Sequence, residues 1–228
     1  GDNDERIVVQ PGEGIAVYQE AAGTAASRIR VLIEWEETTN PPPAVNEFLF
    51  AYPRVEVAAT AGYTYNSFFN PISSGKTAVV KRVWFGTETC DGAAVYTNNI
   101  ILQRTSSATG GTSIATSSIP KKNTNGNNSF MEFRHTGVTV STTTAGGVDA
   151  RIGNITPCGA AGQATGWQEL NFHSADEKLI LQAGEGIALI SETAGNANQL
   201  VRMIIEWDEV DAGDTPAAQG EYIWASSR

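Results

Sequence analysis

The chain has 228 residues, 41% of them apolar and 18% charged, against roughly 25% charged in an average soluble domain. Fifteen Lys and Arg against 25 Asp and Glu leave a net charge of −10, which disfavours a phosphate backbone or an anionic bilayer and sets nucleic acid aside as a partner. No apolar run approaches the roughly 20 residues of a membrane-crossing helix, so no membrane insertion is expected. Two His and two Cys are too few for a His/Cys metal cage and offer few bases for nucleophilic chemistry, so the expectation is no catalytic residue, no metal and no cofactor.

In chain order, alternation dominates and helical spacing is missing. In 30–36, Val31, Ile33 and Trp35 share one face while Arg30, Glu34 and Glu36 take the other, with Leu32 as the exception. The aromatic residues Phe48 and Phe50 open the next apolar run after Pro41-Pro42-Pro43. Further β-rich runs lie at 54–60, 77–85, 94–104, 129–135, 167–172, 178–182, 186–191 and 200–207, separated by Gly, Asn, Pro and Ser. The pattern predicts an all-β fold: a two-sheet, jelly-roll-like β-sandwich with a partial repeat of the same fold at the N-terminus.

The repeat is the strongest signal. Residues 4–37 align without a gap on 176–209, Gly12 falling on Gly184 at an offset of 172, and about half the positions are identical. The segment Gln10-Pro11-Gly12-Glu13-Gly14-Ile15-Ala16 matches Gln182-Ala183-Gly184-Glu185-Gly186-Ile187-Ala188, and Ile33-Glu34-Trp35 matches Ile205-Glu206-Trp207. A shorter echo places Glu221-Tyr222-Ile223-Trp224-Ala225 on Glu47-Phe48-Leu49-Phe50-Ala51 at an offset of 174. Residues 1–37 therefore read as the last two strands of one unit, 38–45 as a Pro-rich linker, 46–210 as a complete unit, and 211–228 as a linker and the first strand of another. Two explanations fit this cut: a slice of a longer tandem protein, or terminal strands that complete sheets in neighbouring subunits, because a lone hairpin is marginal in water. Units on short spacers make a fibre or a spike. Phe48, Phe50, Tyr222 and Trp224 are the candidate assembly contacts.

Gly12, Gly14, Gly184 and Gly186 form a turn motif. Pro11-Gly12 suits the centre of a type II turn, Ala183-Gly184 keeps its glycine, and Gly14 and Gly186 permit close approach as the return strand starts. Glu13 and Glu185 then stand at turn tips in water. The acidic strand ends Glu34, Glu36, Glu37, Glu206, Asp208 and Glu209 read as a solvated edge that blocks aggregation, with a hard cation as the alternative.

Ser74-Gly75-Lys76-Thr77 imitates the end of a phosphate-binding loop, but Asn70 stands where glycine is needed and a strand-like run follows. Lys81 and Arg82, adjacent in that run, should point to opposite faces. Cys90 and Cys158 could form a disulfide or remain two thiols. His135 and His173 show no ligand spacing. Residues 105–129 read as loop-dominated, with a short strand around Ser113–Ile119, and as either a solvated connector or a surface that reads a glycan.

Thr77–Trp84, Leu181–Ala188 and Glu206-Trp207 resemble the jelly-roll modules of tailed-phage virion proteins. The resemblance covers most of 46–210 and again 6–37. It implies a structural part of a virion (decoration, fibre or spike) or of an extracellular filament, located on the virion surface or outside the cell. Its partners would be copies of itself or neighbouring subunits, and no catalytic residue is carried over. The alternative is a glycan-binding or adhesin module.

Overall fold

The computed structural model describes residues 14–16, 46–56, 61–90, 99–122, 127–141, 151–155, 167–172, 178–192 and 199–212. Among them run β1 (Glu47–Ala51), β2 (Val55–Glu56), β3 (Thr64–Phe69), β4 (Lys76–Cys90), β5 (Ile100–Thr105), β6 (Ser107–Ile114), β7 (Glu132–Ser141), β8 (Arg151–Ile155), β9 (Trp167–Asn171), β10 (Leu179–Leu181), β11 (Gly186–Ser191) and β12 (Gln199–Asp211). Two short 3₁₀ turns, Ile72–Ser74 and Thr116–Ser118, complete the elements.

One sheet is ordered β1-β12-β4-β10, with β2 also on β12 and β9 also on β4. The other is ordered β6-β7-β3-β11-β5-β8. All pairings are antiparallel. Leaving out the β6–β7 hairpin and taking β1–β2 on β12 and β9–β10 on β4 as two interrupted strands, the chain crosses between the sheets at every step except β5 to β8, so that β1 lies beside β12 and β3 beside β11, the nesting of a jelly roll. The all-β, two-sheet sandwich expected from the alternation is the fold observed. The partial N-terminal repeat, apart from Gly14–Ala16, lies outside the described residues.

The alternation explains the core. In β12, Val201, Met203, Ile205 and Trp207 are all fully buried, facing inward at every second position. They meet Phe48, Phe68, Phe85, Phe133, Leu102, Ile187 and Leu189 from the other strands. Each such side chain contributes about 1.5–3 kcal/mol by leaving water. Trp207 sits at the centre of the aromatic packing, stacked on Phe48 at 5.0 Å between ring centroids and edge-on to Phe68 at 4.9 Å.

Strand β3 lies outside the β-rich runs read from the sequence, and two local readings change. Strand β3 is buried along its whole length although Thr64, Asn66 and Ser67 interrupt its apolar pattern, because it lies inside its sheet with both faces covered. Residues 105–129 are not mainly loop: Ser107–Ile114 form β6, and only the first two residues of the expected Ser113–Ile119 strand belong to it. The β6–β7 ladder turns a corner where Gly110 and Gly111 face Thr136 and Gly137, all four at positive φ. Beyond that corner Ala108, Val138 and Val140 pack with Phe69, and Val140 also packs on Ile101, Ala188 and Ile190, a third layer over the outer face of the second sheet.

The second changed reading concerns Lys81 and Arg82, which do not face opposite ways. The β4–β12 register skips a residue between Trp207↔Val80 and Glu206↔Arg82, a β-bulge. Val80 and Val83 are both fully buried, so the two basic residues between them share the outer face.

Candidate functional site

The best-built polar region lies where the chain joins and leaves the sandwich. Strand β1 pairs with residues 204–208 of β12, Glu47 opposite Asp208 and Phe48 opposite Trp207, and the Glu209 amide donates to the Asn46 carbonyl at 3.0 Å. Residues 46 and 212 are therefore at the same end of the unit. The Lys122 amide donates to the Glu47 carbonyl and Lys121 bridges Phe48, so the free side of β1 is engaged by the 121–122 segment.

On the outer face of this seam, the bulge delivers Lys81 to Glu47 Oε1 at 2.7 Å and to Asp208 Oδ2 at 3.1 Å. It also delivers Arg82 to Glu206 Oε2 at 2.6 Å, while Lys122 closes on Glu206 Oε1. Burial disfavours the Lys81 charge, but the Glu47 and Asp208 carboxylates outweigh it and hold its pKa above the usual lysine value. Burial likewise opposes the Glu206 charge, yet Arg82 and Lys122 prevail and keep that carboxyl below its usual range. Asp208 goes the other way: burial pushes it to about 6, Lys81 offsets this only partly, and the Glu47 charge adds to it. Its Oδ1 is buried with no hydrogen-bond donor.

On the inner face, Glu209 closes the core. Ser129 Oγ donates to it at 2.5 Å, the Phe130 amide at 2.9 Å and Trp207 Nε1 at 3.0 Å. Burial pushes this carboxyl up, and those donors pull it only part of the way back. Glu206 and Glu209 are 2% and 4% exposed, so these two are internal ties and not a solvated edge or an open cation site; Asp208 keeps partial exposure, and Glu34, Glu36 and Glu37 lie outside the described residues. Among the described residues there is no group of three or more His, Cys, Asp or Glu that could hold a metal.

The same end carries the turn motif. Gly184 has φ +88°, and the Glu185 amide donates to the Gln182 carbonyl at 3.0 Å, a type II turn as the sequence suggests. The Glu185 carboxylate stands at the turn tip, 45% exposed as the sequence suggests, and there accepts from the Gln182 backbone amide at 2.8 Å; Glu13 lies outside the described residues. Gly186 is required by close approach: a Cβ there would lie 2.6 Å from the Phe68 carbonyl oxygen.

Asn70 clips this turn to the loop before β4. Its side-chain amide donates to the Lys76 and Leu181 carbonyls at 2.8 and 3.0 Å, its Oδ1 accepts from Ser74 Oγ at 2.5 Å, and its backbone bonds Glu185 and Gly184. The residue that departs from the phosphate-loop pattern is thus the one that builds the loop. Lys76, the lysine of that imitation motif, starts β4 and pairs with the exposed Asp211 at 2.5 Å.

The candidate assembly residues separate. Phe48 and Phe50 are 1% and 9% exposed and belong to this unit's own core, so they are not a surface open to a partner. Tyr222, Trp224 and Gly12 lie outside the described residues. Gly14 is exposed, with nothing within 4 Å of a Cβ placed on it. Cys158 and His173 also lie outside the described residues. Cys90 ends β4, and the proposed disulfide is not described. His135 sits within β7 with Nδ1 2.8 Å from Thr136 Oγ1, and burial lowers its pKa.

Sequence reasoning missed Asn70, Ser129 and the Lys81–Asp208 pair. The one available signal was the spacing of three between Val80 and Val83, which breaks the period of two. The arrangement as a whole ties strands together: its buried carboxylates are held by donors within the fold. Searches with this chain find no matching family model, no matching curated protein and no matching solved structure.

Proposed function

We propose that this chain is a stretch of a tandem array of jelly-roll units serving a structural, assembling role in a virion (decoration, fibre or spike) or an extracellular filament. Its partners are neighbouring units and subunits of the same assembly. One comparison carries the reading. The motif Gly186-Ile187-Ala188 is enclosed in the unit, Ile187 being 0% exposed, whereas its repeat Gly14-Ile15-Ala16 is bare, Ile15 being 53% exposed.

The second copy of the repeat supplies β10, β11 and β12, with β11 and β12 central in their sheets. Its buried Leu179, Leu181, Ile187, Leu189, Val201, Met203, Ile205 and Trp207 correspond to Ile7, Val9, Ile15, Val17, Ile29, Val31, Ile33 and Trp35. Each of these positions is apolar in both copies, the alternation of strands that bury one face.

The role is tested by electron microscopy of native particles or filaments labelled with antibodies to the 46–210 unit. Regular labelling along the assembly supports it, and label confined to unassembled protein refutes it.

A further inference from the structure

The geometry points to how units of such an array are joined: base to base through the end at which the chain enters and leaves, never stacked end on end. This rests on the array reading. Asn46 and Glu209 are hydrogen-bonded through their backbones, and Ala212 donates to the Gly75 carbonyl, so both connections of the unit leave from one base. The preceding repeat copy ends at Glu37 and the following one resumes at Glu221. Nine Cα steps separate Glu37 from Asn46, and nine separate Ala212 from Glu221. Each connection spans at most about 32 Å when fully extended.

Strand β12 has 13 residues, a length of about 40 Å. By the repeat, Glu221 and Glu37 correspond to Glu47 and Glu209, which are base residues. A connection leaving the base of one unit therefore falls short of that unit's far end, where end-on stacking would put the next base. Neighbouring bases are held within reach of one another, at the millimolar effective concentrations that short tethers give.

This base also carries uncovered apolar side chains. Ile72 is 83% exposed beside Gly184, and Phe130 is 43% exposed with the Lys76 ammonium 5.4 Å from its ring centroid. The occupant that fits them is the base of the adjoining unit, making a row of sandwiches that project from a common line.

The test is small-angle scattering and negative-stain microscopy of the full native chain, wild type and Ile72→Asp/Phe130→Asp. The expected result is several globules per chain, adjacent bases no more than about 32 Å apart, and a larger radius of gyration in the variant with its melting temperature kept. Collinear globules repeating at about 40 Å or more overturn the base-to-base arrangement while leaving the array standing. An unchanged radius in the variant overturns the role of Ile72 and Phe130. A single globule per chain overturns the array itself, and this inference with it.

Discussion

Gly186→Ala and Gly14→Ala make the same chemical change at matching positions of the two repeat copies, yet they should have opposite consequences. At Gly186 the new methyl would lie 2.6 Å from the Phe68 carbonyl oxygen, 2.8 Å from Phe69 Cδ2 and 2.9 Å from Thr105 Oγ1. The first of these is backbone of the paired strand β3, so relief requires β3 and β11 to separate. Overpacking of this kind costs about 1–3 kcal/mol, and the Phe68 carbonyl places Gly186 at the upper end. Restricting the unfolded chain returns about 0.4–1 kcal/mol.

The net loss is about 2 kcal/mol, a fall in melting temperature of roughly 4–8 °C for a domain of this size. At Gly14 the methyl meets nothing within 4 Å, so Gly14→Ala in this chain leaves the melting temperature unchanged or slightly raised. Within a longer array, where the first copy is covered as the second is, it should cost as much as Gly186→Ala. Thermal and urea unfolding of the chain and of the array measure all of this. Equal effects of the two substitutions in this chain, or a neutral Gly186→Ala, would refute the reasoning.

Phe48→Ala removes a ring stacked on Trp207 and should lower unfolding stability by about 3–5 kcal/mol in urea titrations of the single chain; a stable monomer with impaired assembly would instead mean that Phe48 acts on a partner. Asp208 has its folded pKa raised to about 6 from an ordinary 3.8, so the folded state holds the proton more readily than the unfolded state, and stability from this group rises as pH falls through 6 toward 4. Asp208→Asn should therefore stabilise at pH 8 by on the order of 2 kcal/mol, with the gain gone at pH 4; denaturation curves across that range check it, and a gain that grows with acid contradicts it. Asn70→Ala strips the Lys76 and Leu181 carbonyls of their donor and should cost about 2–4 kcal/mol, with faster amide exchange at Gly184 and Glu185 whose absence would show that the clip is dispensable.

Regular alternation made much of this fold readable. The inward set Val201, Met203, Ile205 and Trp207 repeats the Val31, Ile33 and Trp35 pattern that announced a half-buried strand, and the glycine at 184 announced its turn through the demand for positive φ. What alternation could not show lies where the period breaks or both faces are covered. The polar Asn66 and Ser67 hide β3, whose burial comes from the layers above and below it. The Ser, Thr and Gly residues of β6 look like a loop because its ladder to β7, not its side chains, holds it as a strand. The bulge at Lys81 reverses one side chain and assembles an ion-pair network from four separate segments. Phe48 and Phe50 were legible as a strand, but whether they served this core or another's depended on pairing with Trp207.

Mass spectrometry of the intact polypeptide from its native source bears most directly on the tandem array. The array predicts a chain well above 24.2 kDa, with limited proteolysis releasing fragments spaced by the 172–174 residue repeat. A native polypeptide of 24.2 kDa, giving one protected core and no ladder, would contradict it.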